Sequence, residues 1–210
     1  MVNRLCRNTP DLTTPALLIL MALMISACSK TQNEAELPVL DAIGGDFTLP
    51  STLTLENGLP GAPLTLSNYQ GQVVLINFGY THCPDICPTV LSRLAKLSKA
   101  LDEQRHLSLD NLKIIFITVD PERDTLAHLK EYLAFFSPDF IGARGTIGQT
   151  QQVAQQYAVF FEKQAEDGQN YSVMHNDKIF LLDKLGRLRA LYGHSDSDEK
   201  LINDIVSLAY

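Results

Sequence analysis

Four cysteines, Cys6, Cys28, Cys83 and Cys87, occur among 210 residues, and only Cys83 and Cys87 are close enough in sequence to work as a pair. They are four apart. On a helical first turn, residues at that spacing lie on one face, so both sulfurs can reach the same ion. Soft thiolates select Cu(I), zinc or iron–sulfur chemistry. The backbone N–H groups of a helix start favour anionic sulfur, which lowers thiol pKa values and readies the pair for metal or for disulfide exchange. The plain alternative is a structural disulfide.

The surrounding sequence predicts where this dithiol sits. Val73 to Phe78 is a near-continuous apolar, β-branched run, the pattern of a strand buried on both faces. After the loop Gly79 to Pro84, residues Val90, Leu91, Leu94 and Leu97 recur at helical spacing, so the pair lies at a strand-to-helix junction. That placement argues against a merely structural disulfide. Ile114 to Val119 repeats the buried-strand pattern, and Leu126, Leu129, Leu133 and Phe136 mark a second amphipathic helix, completing a parallel crossover unit. Phe140 to Ala143 suits a short strand. The next helix should turn Ile147, Val153, Ala154 and Tyr157 inward and its five glutamines, Gln149 to Gln156, outward. Val159 to Glu162 and Tyr171 to Val173 read as strands separated by a Glu166-Asp167-Gly168 turn. Lys178 to Leu182 and Leu188 to Tyr192 form a hairpin around Gly186, and Asp196 with Glu199 starts a last helix carrying Leu201, Ile202, Ile205 and Leu208. Ahead of all this, Phe47 to Leu49 and Leu53 to Leu55 alternate around Asn57-Gly58 as an N-terminal β-hairpin extension. The order is that of an α/β, thioredoxin-like domain with its dithiol after the first core strand.

The first residues read as a leader: Arg4 and Arg7, an apolar run from Ala16 to Ile25, then Ser26 and Ala27 before Cys28. The run is about ten residues against the roughly 20 of a spanning helix, which favours a signal peptide over residues 1–27. Ile25-Ser26-Ala27-Cys28 resembles a bacterial lipobox, in which the cysteine is acylated and becomes the new N-terminus. Residues 28–40 then comprise the lipidated Cys28 and a tether, and 41–210 the domain, exported and membrane-anchored on the periplasmic or exterior side. Cys6 would leave with the signal and Cys28 would carry lipid, so Cys83 and Cys87 alone remain as thiols. A formal charge of −7, a pI near 5.1 and no basic run give no footprint for nucleic acid.

Asn77-Phe78-Gly79-Tyr80-Thr81-His82-Cys83-Pro84-Asp85-Ile86-Cys87-Pro88-Thr89 resembles the signature of the Sco/SenC family. The likeness extends to Gly44 through Phe47, Thr118 through Thr125, and Met174-His175 ahead of Lys178 through Asp183. Members are membrane-tethered thioredoxin-like proteins that bind copper through two Cys and one His. The resemblance implies that Cys83 and Cys87 are the sulfur ligands and His175 the imidazole ligand, and that copper or reducing equivalents go to the copper site of cytochrome c oxidase or to another cuproprotein. Two thiolates suit Cu(I), and an added imidazole admits Cu(II). By residue type alone, His175 would stand little above His194. Met174 departs from the family, which usually carries an acidic residue there, and this puts the tuning of Cu(II) affinity in question. Asp85 matches the motif but equally suits a helix N-terminus. His82 is read as a loop residue outside the site, and Asp120, Pro121, Asp124 and Thr125 as loop and N-cap scaffold.

Two enzymatic readings compete with a copper chaperone that is not an enzyme. A thiol:disulfide oxidoreductase, reducing a cuproprotein partner and recharged by a thiol-disulfide reductant, would use Cys83 and Cys87 as its catalytic dithiol. Against it as sole function stand three intervening residues where thioredoxins have two, and the absence of a proline directly before Lys178 to Asp183. The discriminating residue is His175, which a metal site needs and disulfide exchange does not. A peroxiredoxin-like peroxidase would need a Thr three residues before its reactive cysteine, where Tyr80 and Pro84 stand.

Overall fold

The computed structural model describes residues 37–55, 57–103, 111–165 and 171–210, all within the compact unit Leu37–Tyr210. The leader, Cys6, Cys28, most of the tether and the Glu166–Gly168 turn lie outside the described residues.

The centre is a five-stranded sheet ordered β5-β4-β3-β8-β9. Strand β3 (Val73–Gly79) pairs in parallel with β4 (Leu112–Thr118), which pairs in parallel with β5 (Ile141–Ala143). On its other edge β3 runs antiparallel to β8 (Ile179–Leu182), and β8 antiparallel to β9 (Leu188–Tyr192). Every residue of β3 is buried, as its unbroken apolar run requires. Its side chains alternate between two cores. Val73 and Leu75 join Val90, Leu91, Leu94 and Leu97 of α1 (Ile86–Glu103), Leu129 and Leu133 of α2 (Leu126–Ala134), and Leu201 and Ile205 of α4 (Asp198–Ala209). Val74, Ile76 and Phe78 join Val153, Ala154 and Tyr157 from α3 (Ile147–Gln156) and its end, with Leu49, Leu64 and both cysteines. Each large side chain so buried contributes about 1.5–3 kcal/mol, more than the roughly 1 kcal/mol of a typical helix cap. The arrangement is the α/β, thioredoxin-like one expected. Among the described residues no helix is long and apolar enough to cross a membrane.

Local chemistry moved several element boundaries. The N-terminal hairpin pairs β1 (Thr48–Pro50) with β2 (Pro63–Thr65), not with Leu53–Leu55, because Leu49 and Leu64 are the side chains that reach the core while Leu55 stays exposed. Asn57-Gly58 still turns the chain, but inside the connecting loop, where Asn57 Oδ1 accepts from Leu59 N. Thr146 caps α3 through a capping box with Gln149, which makes Ile147 the first helical residue and turns it outward; Thr150 takes the inward place. Val159 belongs to the exit from α3, its N–H bonded to Ala154 O after a left-handed Ala158, so β6 (Phe161–Ala165) starts two residues later than the apolar pattern suggests. Phe136 falls just past the end of α2. Ser197, not Asp196, caps α4, while Asp196 Oδ2 accepts from Gly193 N at 2.6 Å.

At the start of the unit, Leu40 N donates to Leu188 O at 2.8 Å, and the buried Arg189 guanidinium donates to Leu37 O and Pro38 O. Residues from Leu37 onward are therefore held against β9.

Candidate metal centre

The dithiol is shaped differently from a pair on one helical turn. Helix α1 begins at Ile86, so Cys83 lies in the preceding loop and Cys87 in the first turn. The loop is folded by Cys83 N donating to Tyr80 O at 3.2 Å, and both cysteines are free and buried. Beneath it sits Asp124, fully buried, whose carboxylate accepts from Thr81 N at 3.0 Å, Thr81 Oγ1 at 2.5 Å and Thr118 Oγ1 at 2.6 Å. Three hydrogen bonds satisfy a charge that would otherwise be costly to bury. Thr125 caps α2 by accepting from His128 N, so these residues are the scaffold that the sequence suggested.

His175 arrives from a different element. It ends β7 (Tyr171–His175), which among the described residues pairs with β6 alone, in a separate two-stranded ribbon. A two-stranded ribbon is marginal alone and needs docking. Tyr80 OH accepts from Val173 N at 3.3 Å, and the Tyr80 ring meets the His175 ring edge-on at 5.7 Å. Arg123 lies over the Tyr171 ring at 3.6 Å, donates to Tyr171 O at 3.0 Å and to Asp120 Oδ2 at 2.5 Å, while Tyr171 OH donates to Asp120 Oδ1 at 2.7 Å. Lys163 pairs with Glu122 across the same seam. One connection, Thr118 to Thr125, thus fixes the cysteine loop through Asp124 and the histidine ribbon through Asp120 and Arg123. The sequence motif contained Arg123 and Tyr80, but only the folded chain shows what they hold.

Together these elements bring one ligand atom each of Cys83, Cys87 and His175 within 4.8 Å of one another. Cys87 Sγ lies 3.5 Å from His175 Nε2. His175 Nδ1 is 2.8 Å from Asn176 O, and because a carbonyl only accepts, Nδ1 carries the ring proton and Nε2 presents its lone pair to the sulfurs. The two thiols are unequal. A hydrogen bond from Cys87 holds Cys83 well below the ordinary thiol range against opposing burial, with help from the backbone N–H groups of Asp85 and Cys87. The shared proton and burial push Cys87 up. Two sulfurs and an imidazole form a donor set for soft or borderline ions, copper and zinc foremost.

The remaining candidates lie outside this cluster. Asp85 is exposed, and its carbonyl accepts from Thr89 N and Oγ1 at the start of α1. His82 points outward. His194 pairs with Asp177. Met174 faces away from His175 by strand alternation and stands directly opposite Glu162. An acidic residue at 174 would therefore face Glu162 across the ribbon, a like-charge pair that methionine avoids.

A family model described as SCO1/SenC matches residues 39–210. The chain belongs to the SCO1/SenC family. It is 37% identical over 166 residues to the mitochondrial SCO2 homolog of Mus musculus, covering 78% of this chain and 62% of that protein. It is 36% identical over 162 residues to an SCO2-like protein of Rickettsia conorii, covering 76% of this chain and 74% of that one. The matched region spans about half of the yeast mitochondrial SCO2 protein, 52% of its length. Among solved structures, Bradyrhizobium japonicum ScoI with copper bound superposes with a TM-score of 0.68 at 34% identity, covering 80% of this chain and 99% of that one. Arabidopsis thaliana ScoI with copper bound gives 0.69 at 32% identity, covering 79% and 97%.

Proposed function

We propose that this SCO1/SenC protein binds one copper ion through Cys83, Cys87 and His175 and passes it on, as a metallochaperone assisting the copper site of cytochrome c oxidase or of another cuproprotein. The observation that carries the reading is the convergence of two thiol sulfurs and an imidazole nitrogen whose tautomer is already set by Asn176 O. Copper bound in the Bradyrhizobium and Arabidopsis relatives supports the choice of metal. Three protein donors leave room for a ligand of the recipient, so the ion moves by exchange of ligands. Acylation of Cys28, with the domain tethered outside the cytoplasm, would hold it beside a membrane-bound recipient.

A second reading rests on the placement of the two thiols: Cys83, in the loop, keeps 9% exposure, and Cys87, in the first turn of α1, keeps 1%. A thiolate-prone Cys83 beside a buried, proton-holding Cys87 is the arrangement of an attacking and a resolving sulfur, and would let the protein reduce cysteines of a cuproprotein partner. Anaerobic copper titration of the reduced protein separates the two. One tight equivalent whose sulfur-to-Cu(II) absorption is lost in His175→Ala is expected of the metal site. Weak, non-stoichiometric binding indifferent to His175→Ala would overturn it and leave the dithiol as a redox centre.

A further inference from the structure

On the outer side of the cysteine loop two histidines from separate elements meet. The rings of His82, in the loop, and His128, in the first turn of α2, have centroids 5.9 Å apart and planes inclined at 47°. The His82 side chain is half exposed, and His128 is exposed.

His82 is oriented by the scaffold beneath it. Its Nδ1 lies 3.0 Å from Thr81 Oγ1, and that hydroxyl spends its own proton on Asp124 Oδ1 at 2.5 Å. Thr81 Oγ1 can then only accept, so His82 Nδ1 carries the hydrogen and Nε2 is left as a free lone pair directed away from the scaffold. This is the hydrogen-bonded backing, from imidazole through hydroxyl to buried carboxylate, that fixes the tautomer and raises the basicity of a metal-ligating histidine. The negative charge of Asp124, 3.7 Å from Nδ1, also favours a cation on the far side of the ring.

We propose that His82 and His128 form a second, exposed copper site that takes Cu(I) between two imidazole nitrogens at the rim of the dithiol. Two imidazoles bound to one ion at about 2.0 Å per bond place their ring centroids roughly 5 to 6 Å apart, from tetrahedral to linear arrangements. The observed spacing falls at the wide-angle end, which suits a two-coordinate monovalent ion. Such a site holds copper more weakly than two thiolates and an imidazole, because it lacks soft sulfur and is open to water. Its neighbour in the chain is Cys83, so the exposed pair is placed to receive an ion on its way into or out of the buried one.

The test is an anaerobic Cu(I) titration of the full reduced chain against a chromophoric competitor, together with the imidazole resonances in nitrogen-correlated NMR. A first equivalent on the buried site and a weaker second equivalent are expected, the second shifting the His82 and His128 rings together. His82→Gln and His128→Gln should each weaken the second equivalent by about tenfold or more and leave the first unchanged. Failure of the buried site would show in the first equivalent, so the two claims fail separately. Absence of a second equivalent, or one indifferent to His128→Gln, a substitution at an exposed helix position, would overturn the proposal.

Discussion

Gly79 closes β3 directly under the metal centre, and adding one methyl there tests how tightly the dithiol is positioned. A Cβ at Gly79 would stand 2.7 Å from Cys87 Sγ and 2.8 Å from two ring atoms of Phe116, where ordinary contacts begin at 3.4 Å. Its backbone is extended, so alanine meets no conformational strain and the clash alone decides the outcome. Phe116 is fully buried among the leucines of α1 and α2 and has nowhere to go, so its clash remains as strain, while the separate contact pushes Cys87 Sγ back by about 0.7 Å. Overpacking of this size costs about 1–3 kcal/mol, and the lower chain entropy of alanine returns about 0.4–1 kcal/mol. A net loss of about 1–2 kcal/mol is expected in urea unfolding of the reduced, metal-free Gly79→Ala protein. A sulfur displaced by several times the roughly 0.2 Å tolerance of a metal–ligand bond should also weaken copper at least about tenfold in a competition titration. A variant with unchanged stability and unchanged copper affinity would refute both the packing argument and the placement of Cys87 in the site.

The histidine ribbon and the acid side of stability supply further tests. Arg123→Ala removes the guanidinium from over Tyr171 and its bond to Tyr171 O, so copper affinity should fall about 10–100-fold while the reactivity of the two thiols toward an alkylating agent stays near wild type. Equal loss of both would place Arg123 in the general fold instead. Burial raises the Asp183 carboxyl, but hydrogen bonds from Arg187, Arg189 and the backbone overcome it and hold it below the usual carboxylate range. A depressed folded pKa stabilises above the unfolded value of about 3.9 and ceases to do so as pH falls through the folded value, so wild type should lose stability below about pH 4. Asp183→Asn should be less stable at pH 7 by about 1.5–3 kcal/mol and show a flatter decline in acid, read by urea midpoints across pH 3–7. Parallel curves would exclude Asp183 as a source of that slope.

The core was legible because its strands are saturated with apolar residues. Val73 to Phe78 and Ile114 to Val119 leave little choice of structure, and their parallel pairing follows from the crossover rule. Boundaries set by single hydrogen bonds were not legible. Ser197 took the cap expected of Asp196, the Thr146 cap turned Ile147 outward, and the N-terminal hairpin chose the arms whose leucines could reach the core. The cysteine pair was visible by residue type, although its convergence comes from a loop held by Asp124 and not from a shared helical turn. His175 could be singled out only through the family motif, because nothing local distinguishes it. Its position depends on contacts from Tyr80, Arg123 and Asp120, distant in sequence, whose partners no periodicity encodes.

The central claim is that copper is held by two sulfurs and one imidazole, and X-ray absorption at the copper edge of the loaded protein tests it most directly. Two sulfur scatterers and one imidazole nitrogen are expected, with the nitrogen shell lost in His175→Ala and the sulfur shell halved in Cys87→Ser. A first shell of nitrogen and oxygen alone, or one unchanged by either substitution, would contradict the account.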